Sequence, residues 1–349
     1  ITYKFRSFKM KKQLLIAAVA ATMTSVAMAD ISISGSANIK MAGKALSTDA
    51  AAAQSSSQNM DIDITGSNGA TKVFAHLDID NASSDGGTDT SASGGTINVD
   101  KLYMTTAIGS VNVKAGDWSS CVGMVEGVQA CTTTNNSIAL STTVAGLTVG
   151  VSGGMSNDSA NNSFSVSGKV AGLDFKIKDN ENTYTNISVK GDVAVGTGTG
   201  FYVEQMSRDA ADSDATLVAA HTVVNGVTLK AASYEADVTG LASNTGDIRP
   251  LGTSLVGDYH TAHADTLVGI KDIKGFGINT DVAGNNVNVV VGNYDTTALN
   301  GLDFADIVVT RKLAAGTTLD MSYGKIDTSA TADTTNYGEI GRASCRERV

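Results

Sequence analysis

Short segments in which apolar and polar residues alternate constrain the fold of this chain more than any other feature. In residues 30–43, DISISGSANIKMAG, the apolar side chains take one parity and the serine, asparagine and lysine side chains take the other. Because successive side chains of a strand point to opposite faces, this period of two predicts a β-strand. A soluble sheet turns the apolar face inward, whereas a membrane barrel turns it outward toward lipid. The way the pattern repeats decides between the two.

The same alternation recurs along the chain, and the connections between the alternating segments differ in length. Dipeptides such as AG at 145–146, AG at 171–172 and NG at 225–226 suit tight two-residue hairpins. Long polar loops, such as residues 81–96 and 118–136, separate these hairpins. Short turns at one end and long loops at the other are typical of an outer-membrane barrel. The pattern predicts an all-β, antiparallel, up-and-down β-barrel of about sixteen to twenty strands.

The length and polarity of these segments favour a membrane-spanning barrel with a wet interior. Each has roughly eight to eleven residues, near the ~9–11 that cross a bilayer on a tilt. The polar parity carries serine, threonine, asparagine, aspartate and lysine, and a dry core could not hold so many polar groups without pairing them. Apart from the N-terminal segment, no apolar run approaches the ~18 residues of a transmembrane helix. We therefore expect the polar parity to face a water-filled lumen.

The N-terminal residues have the pattern of an export signal. Lys11 and Lys12 precede an apolar stretch with small residues before Asp30, so residues 10–29 are interpreted as a signal peptide. The alternative is a membrane anchor, but the apolar run is shorter than the ~20 residues needed to span. Residues 1–9 precede a start methionine and are interpreted as upstream read-through.

The C-terminal residues differ in composition from the rest of the chain. Residues 339–349, EIGRASCRERV, carry three arginines, as many as the whole of residues 30–338. The segment resembles a translated sequencing adapter, so the barrel is assigned to residues 30–338 and its last strand is expected to be missing.

The charge of the predicted mature part restricts the classes of partner that the protein is expected to bind. Residues 30–338 hold 17 basic and 33 acidic residues, a net charge of about −16. Such an acidic chain is a poor nucleic-acid binder, so no nucleic acid is expected as a partner. An acidic lumen would attract cations.

Two cysteines lie ten residues apart in CVGMVEGVQAC. Cys121 and Cys131 are candidates for a disulfide that closes a small loop in an oxidising compartment. The alternative is a pair of free thiols. No CxxC spacing of a metal site is present.

Three segments together resemble the Gram-negative general porins, which are trimeric outer-membrane proteins. They are the leader running into DISISGSANIKMAG, the hairpin TTAIGSVNVKAGDW, and the late hairpin DIVVTRKLAAGTTLDMSYGKID. The resemblance implies 16–18 strands, a location in the cell outer membrane, contact with its lipid, and a homotrimer. The terminal aromatic residue of that family is absent here, and the aromatic content is low.

The resemblance also implies a loop that folds into the lumen and narrows it, at about residues 117–136. Family members oppose acids on this loop to bases on the wall, and such rings of charge select ions. The loop candidates are Asp117 and Glu126, and the wall candidates are Lys40, Lys72 and Lys114. For each of them a solvated charge without a role at the constriction is the alternative.

Metal and catalytic sites have little support. His260 and His263 lie near Asp258 and Asp265, but two histidines three apart are weak evidence for a metal site. The acidic loop at 78–89 could hold Ca²⁺, although it lacks EF-hand spacing and a hydrated outer loop is the alternative. No GxSxG, phosphate-binding loop or dinucleotide fingerprint is present. No cofactor and no enzymatic activity are expected.

The sequence therefore favours a passive diffusion channel for small hydrophilic solutes and ions, with a preference for cations. The first alternative is a secreted structural or adhesive β-rich surface protein. The second is an outer-membrane barrel enzyme, which would need a catalytic constellation that the sequence does not show.

Overall fold

A computed structural model shows one antiparallel sheet that closes on itself. It describes residues 30–44, 53–83, 96–121, 123–124, 131–155, 162–181, 184–194, 198–208, 213–237, 270–296, 301–314, 317–328, 333–334 and 340–348. No helix long and apolar enough to cross a membrane occurs within these ranges.

The strands follow one another along the chain, and most have between eight and sixteen residues. In order they are β1 Asp30–Lys44, β2 Ala53–Asn68, β3 Thr71–Ser83, β4 Thr96–Ile108, β5 Val111–Cys121, β6 Cys131–Val144, β7 Leu147–Gly154, β8 Ser163–Val170, β9 Leu173–Asn180, β10 Tyr184–Ala194, β11 Thr199–Arg208, β12 Ser213–Val224, β13 Val227–Ala236, β14 Ile270–Val282, β15 Asn285–Thr296, β16 Leu302–Ala314, β17 Thr317–Thr328, β18 Asp333–Thr334 and β19 Ile340–Arg348.

Each strand from β1 to β17 pairs antiparallel with the strand that follows it, which is an up-and-down meander. The predicted all-β, transmembrane up-and-down barrel is thereby confirmed, and β1–β17 fall within the predicted range of strand number. The sheet closes where β19 pairs with β1, as in Ser32 opposite Arg348, and β19 also pairs with β17. The closing strand thus lies in the segment that resembles an adapter. That this segment is not native sequence, and that the native last strand is missing, stays a prediction.

The tight turns form where the sequence predicts them, because their residues take positive φ. Ala145 and Gly146 have φ of 51° and 83°, and the AG pairs at 171–172 and 283–284 and the NG pair at 225–226 behave in the same way. Positive φ at both central residues defines the type I′ turn, whose twist matches that of the flanking strands. These turns gather at one end of the barrel, opposite the long connections.

The two faces of the sheet differ in polarity as the alternation predicts. Ile31 and Ile33 on the outer face are 40% and 41% exposed, whereas Ser188 and Glu204 on the inner face are 0% and 2% exposed. Other exposed outer-face side chains are Met104, Leu140, Phe164, Val203, Phe276, Val291 and Ile307. The apolar parity therefore faces outward, as it does in a lipid-embedded barrel.

One sector of the inner face departs from the expected polarity. On β12–β16 several inward side chains are apolar and buried, namely Leu217, Tyr234, Ile273, Val290 and Phe304. Leu217 lies opposite Tyr234, and Tyr234 lies opposite Ile273, in the strand register. Because these large side chains are cross-strand neighbours, they shield one another from water. The inner face is thus polar on β8–β11, whereas on β12–β16 it carries this apolar group together with the buried polar residues Asn288 and Asp306.

Candidate pore constriction

The β5–β6 pair changes course at a bulge beside Gly116. The register of the two strands shifts between Gly116 and Trp118. Gly116 has a φ of 127°, and a Cβ added to it would collide with the carbonyl oxygen of Leu102 on β4. Only glycine fits this close approach, and bulges of this kind bend a strand and redirect its end.

Asp117 fixes the geometry of the bulge through its side chain. Its Oδ1 accepts a 2.6 Å hydrogen bond from the backbone N–H of Asn136, on the returning strand. Asn136 has a φ of 48°, and its carbonyl oxygen accepts from the backbone N–H of Met155 at 2.7 Å. The carboxylate therefore ties the outgoing strand to the returning strand where the ribbon leaves the wall.

Beyond the bulge the two strands continue as a ribbon, and we call residues 118–121, 123–124 and 131–134 the inward hairpin. Residues 118–121 pair with residues 131–134, and the last pair in the register is Cys121 with Cys131. The structure also describes residues 123 and 124 of this hairpin. Trp118, at its root, is 6% exposed. The ribbon therefore starts from the inner side of the barrel.

Two lysines of β9 bind the inward hairpin. Lys178 Nζ donates a 2.7 Å hydrogen bond to Ser120 Oγ, and Lys176 Nζ donates a 2.5 Å hydrogen bond to the carbonyl oxygen of Gly123. Both lysines stand on the inner face of the wall, and Lys178 is buried. A buried ammonium without a hydrogen-bond acceptor is strongly unfavourable. The Ser120 and Gly123 oxygens therefore stabilise the charged lysines, and the same hydrogen bonds hold the hairpin against the wall.

A third contact reaches β11. The backbone N–H of Met124 donates to the hydroxyl oxygen of Tyr202 at 3.4 Å. The three contacts span sequence separations of 53, 58 and 78 residues. The hairpin therefore crosses part of the lumen to reach strands that are far from its own in the sheet.

A buried carboxylate supports the wall at the point of contact. Glu204 Oε1 accepts from Asn186 Nδ2 at 2.6 Å, and its Oε2 accepts from the Tyr202 hydroxyl at 2.7 Å. Gly123 rests directly on this carboxylate, and a Cβ at Gly123 would collide with Glu204 Oε1. The network fixes the position of Tyr202, which in turn accepts the bond from the hairpin.

The root of the hairpin lies beside an aromatic cluster. Lys114 Nζ lies 3.9 Å from the ring centroid of Tyr103 and 5.0 Å from that of Trp118, both within cation–π range. The Tyr103 ring is 5.0 Å from the ring of Phe74, centroid to centroid. These contacts orient the Lys114 ammonium along the inner wall near the bulge.

The acidic candidates fall at different places. Asp117 lies at the bulge and binds Asn136, and Glu126 lies outside the described residues. His260, His263 and residues 84–89 of the acidic loop at 78–89 also lie outside them. Within the described part of the chain no group of His, Cys, Asp and Glu side chains could hold a metal ion.

The basic candidates lie on three different strands. Lys114 stands beside the root of the hairpin. Lys72 is exposed next to the turn at residues 69–70, opposite Thr105. Lys40 lies in β1, and its side chain is outside the described part. Their role in the constriction, like that of the acidic candidates, stays a prediction.

The two predicted disulfide partners are brought together by the register. Cys121 ends β5 and Cys131 begins β6, and the two residues are directly opposite each other. Opposed residues of antiparallel strands have Cα atoms about 4.5–5.5 Å apart, which is within the range that a disulfide requires. The bond between them stays a prediction.

Sequence reasoning missed the wall residues that hold the hairpin. Lys176 and Lys178 stand on the polar parity of LDFKIK, and Tyr202 and Glu204 share a parity in FYVEQM. Two lysines on the inner parity of one strand were the available signal. The alternation does not identify the partners of these lysines, because Gly123 and Ser120 lie more than fifty residues away in the sequence.

Comparisons with known proteins agree with this architecture. The structure resembles the outer membrane protein OpdK of Pseudomonas aeruginosa, with a TM-score of 0.63, 10% identity, and coverage of 91% of this chain and 99% of that one. The fold is that of an outer-membrane β-barrel.

Two further solved structures give similar values. Acinetobacter baumannii OccAB4 matches with a TM-score of 0.64 and 10% identity, over 91% of this chain and 98% of that one. Pseudomonas aeruginosa OccK9 (OpdG) matches with a TM-score of 0.61 and 11% identity, over 91% and 99%. No family model and no curated protein matches the chain. At these identities the likeness concerns the fold.

Proposed function

We propose that this chain is a porin of the Gram-negative outer membrane, a passive diffusion channel for small hydrophilic solutes and ions. The observation that carries the proposal is the inward hairpin, which is held inside the barrel by Lys176, Lys178 and Tyr202. A closed barrel of this strand number encloses a lumen wider than its own side chains can fill. A hairpin fixed inside such a lumen narrows it without closing it, which is what a size-limited diffusion pore requires.

The proposed constriction comprises the hairpin and the wall beside it. Asp117 and Glu126 on the hairpin side, and Lys40, Lys72 and Lys114 on the wall, are the proposed charged groups. Lys114 has the strongest support, because its ammonium is held near Trp118 at the hairpin root. Lys176 and Lys178, which donate hydrogen bonds to Gly123 and Ser120, join this set from β9.

We further propose that the pore prefers cations. The net charge of about −16 between residues 30 and 338 supports this preference, as do Asp61 and Asp63 on the inner face of β2. The two lysines of β9 act in the opposite sense, but both engage oxygens of the hairpin. The reversal potential under a KCl gradient measures the preference for potassium over chloride. A clear anion preference would contradict this part of the proposal.

The proposed assembly is the homotrimer that the general porins form, embedded in outer-membrane lipid. Support comes from the exposed apolar outer face and from the family resemblance of the three sequence segments. The mass of the detergent-solubilised protein in unheated samples measures the assembly. The mass of a monomer would contradict the proposed trimer but not the proposed channel.

Planar bilayer recording tests the channel itself. The full chain, refolded in detergent and added to a bilayer, should give discrete and long-lived current steps. A variant that lacks residues 122–130 should give larger steps, because it removes Gly123 and Met124, whose backbone groups bind Lys176 and Tyr202. A secreted structural or adhesive protein would give no steps and no heat-modifiable migration on gels. That outcome would overturn the proposed function.

A further inference from the structure

A histidine on the inner wall lies between two carboxylates. His76 Nδ1 on β3 is 2.8 Å from Asp63 Oδ1, and His76 Nε2 is 3.6 Å from Asp61 Oδ1. Ser36 on β1 donates a 3.0 Å hydrogen bond to the other oxygen of Asp61. The imidazole side chain is 17% exposed, and the two aspartates are 35% and 41% exposed. Nδ1 is therefore within hydrogen-bond distance of one carboxylate and Nε2 within ion-pair distance of the other, and both carboxylates are partly exposed.

The strand register places this group on the face that looks into the lumen. His76 lies opposite Asp63 on β2 and opposite Lys101 on β4. Tyr103, two residues after Lys101, shares this face, and its ring contacts the Lys114 ammonium at the hairpin root. His76 therefore lines the same side of the wall as the proposed constriction.

The charged and titratable groups around His76 come from three strands. They are Asp61 and Asp63 on β2, Asp78 on β3 itself, and Asp100, Lys101 and Tyr103 on β4. Lys101 Nζ lies 3.6 Å from Asp100 Oδ2, so part of its charge is balanced on its own strand. The carboxylates nearest the imidazole are those of Asp61 and Asp63.

The chemistry of imidazole makes this arrangement sensitive to protons. Neutral imidazole has one N–H donor and one acceptor nitrogen, whereas imidazolium has two donors. Only the imidazolium presents an N–H group toward both carboxylate oxygens, as a hydrogen bond to Asp63 and as a longer ion pair to Asp61. On loss of the proton, one nitrogen lone pair faces an anionic oxygen. The charge of His76, Asp61 and Asp63 together changes from −1 to −2.

We propose that His76 is a selectivity-determining residue of the pore whose effect depends on its protonation. The inference rests on the proposed function, because it requires ions to pass this wall. Loss of the imidazolium proton, the change by which histidine side chains act as charge switches, leaves this wall with one more negative charge. One unit charge at about 10 Å in water, screened by ~0.1 M salt, changes the local ratio of monovalent cations to anions on the order of twofold. The cation preference of the pore should rise by about that factor as the pH rises.

The test measures reversal potentials of the full chain in planar bilayers under a KCl gradient, at pH 5.5 and at pH 8. The unaltered protein should show a potassium-to-chloride permeability ratio on the order of twofold higher at pH 8. His76→Gln should show no such change, because glutamine keeps a hydrogen-bonding side chain but carries no proton-dependent charge. Heat-modifiable migration on gels checks that the variant has folded.

His221→Gln is the matched control. His221 is on β12, opposite Lys230 and Gly200 in the register, so it stands on the same inner parity as Leu217, and it is exposed near the turn at residues 225–226. This variant should keep the pH-dependent change. Selectivity that does not vary with pH in the unaltered protein, or a change that survives in His76→Gln, overturns the role of His76 alone. Absence of any conductance overturns the proposed function and the role of His76 with it.

Discussion

The ammonium of Lys178 on the barrel wall lies 2.7 Å from the hydroxyl oxygen of Ser120 on the inward hairpin. Ser120→Ala removes the acceptor and leaves a buried ammonium without this partner, which weakens hairpin docking by about 1.5–3 kcal/mol. We expect larger and noisier single-channel currents from this variant.

Two further variants show whether this bond is responsible. Ser119→Ala is the matched control, because adjacent residues of a strand point to opposite faces, and its currents should not change. Lys178→Met combined with Ser120→Ala should be less than additive if the two side chains act as a pair. Full additivity would contradict the assigned contact.

Gly123→Ala should displace the hairpin from the wall. The new Cβ would collide with Glu204 Oε1, and the backbone there has a φ of 61°. Gly109→Ala is a close control, because Gly109 also has a φ of 61° but has nothing within 4 Å of an added Cβ. Both variants share the strain of a left-handed alanine, about 1–2 kcal/mol. Only Gly123→Ala should raise single-channel conductance, and equal effects would show that the collision has no role.

Cys121 and Cys131 should be joined in protein refolded under oxidising conditions. Their opposed positions in the register bring the two backbones within the range of a disulfide. Mass spectrometry after alkylation of the unfolded, unreduced protein should find neither thiol modified. Prior reduction should expose both. Modification of both thiols without reduction would contradict the bond.

Ala171→Asn should stabilise the barrel by about 0.5–1 kcal/mol. Ala171 has a φ of 51° in a type I′ turn, a conformation that asparagine adopts more readily than alanine. Asn225→Ala, in the equivalent turn, should destabilise by a similar amount. Guanidinium unfolding in detergent measures both changes. Changes of the same sign in the two variants would argue against the backbone explanation.

The strands and tight turns were predictable because their signals are local. The alternation in DISISGSANIKMAG assigns each side chain to a face, and the AG and NG pairs mark where the chain reverses. Neither signal depends on which strands are distant neighbours. The same locality explains why Ile31 was correctly assigned to the outer face.

The contacts of the hairpin were not predictable in the same way. Alternation places Lys176 and Lys178 on the inner parity, but their partners are determined by the curvature of the closed sheet and by the bulge at Gly116. The apolar inner sector around Leu217 and Tyr234 was also missed, since apolar residues on both parities give no clear alternation. These features depend on tertiary structure, which a period of two cannot encode.

The hydrogen bonds that hold the inward hairpin to the wall fall on β9 and β11, on one side of the barrel. An obstruction attached to one side of a round lumen would leave a passage that is longer in one direction than in the other. We expect such a passage to admit flat or elongated molecules more readily than compact ones of equal volume. The shape of a solute, and not only its size, should therefore govern how fast it permeates.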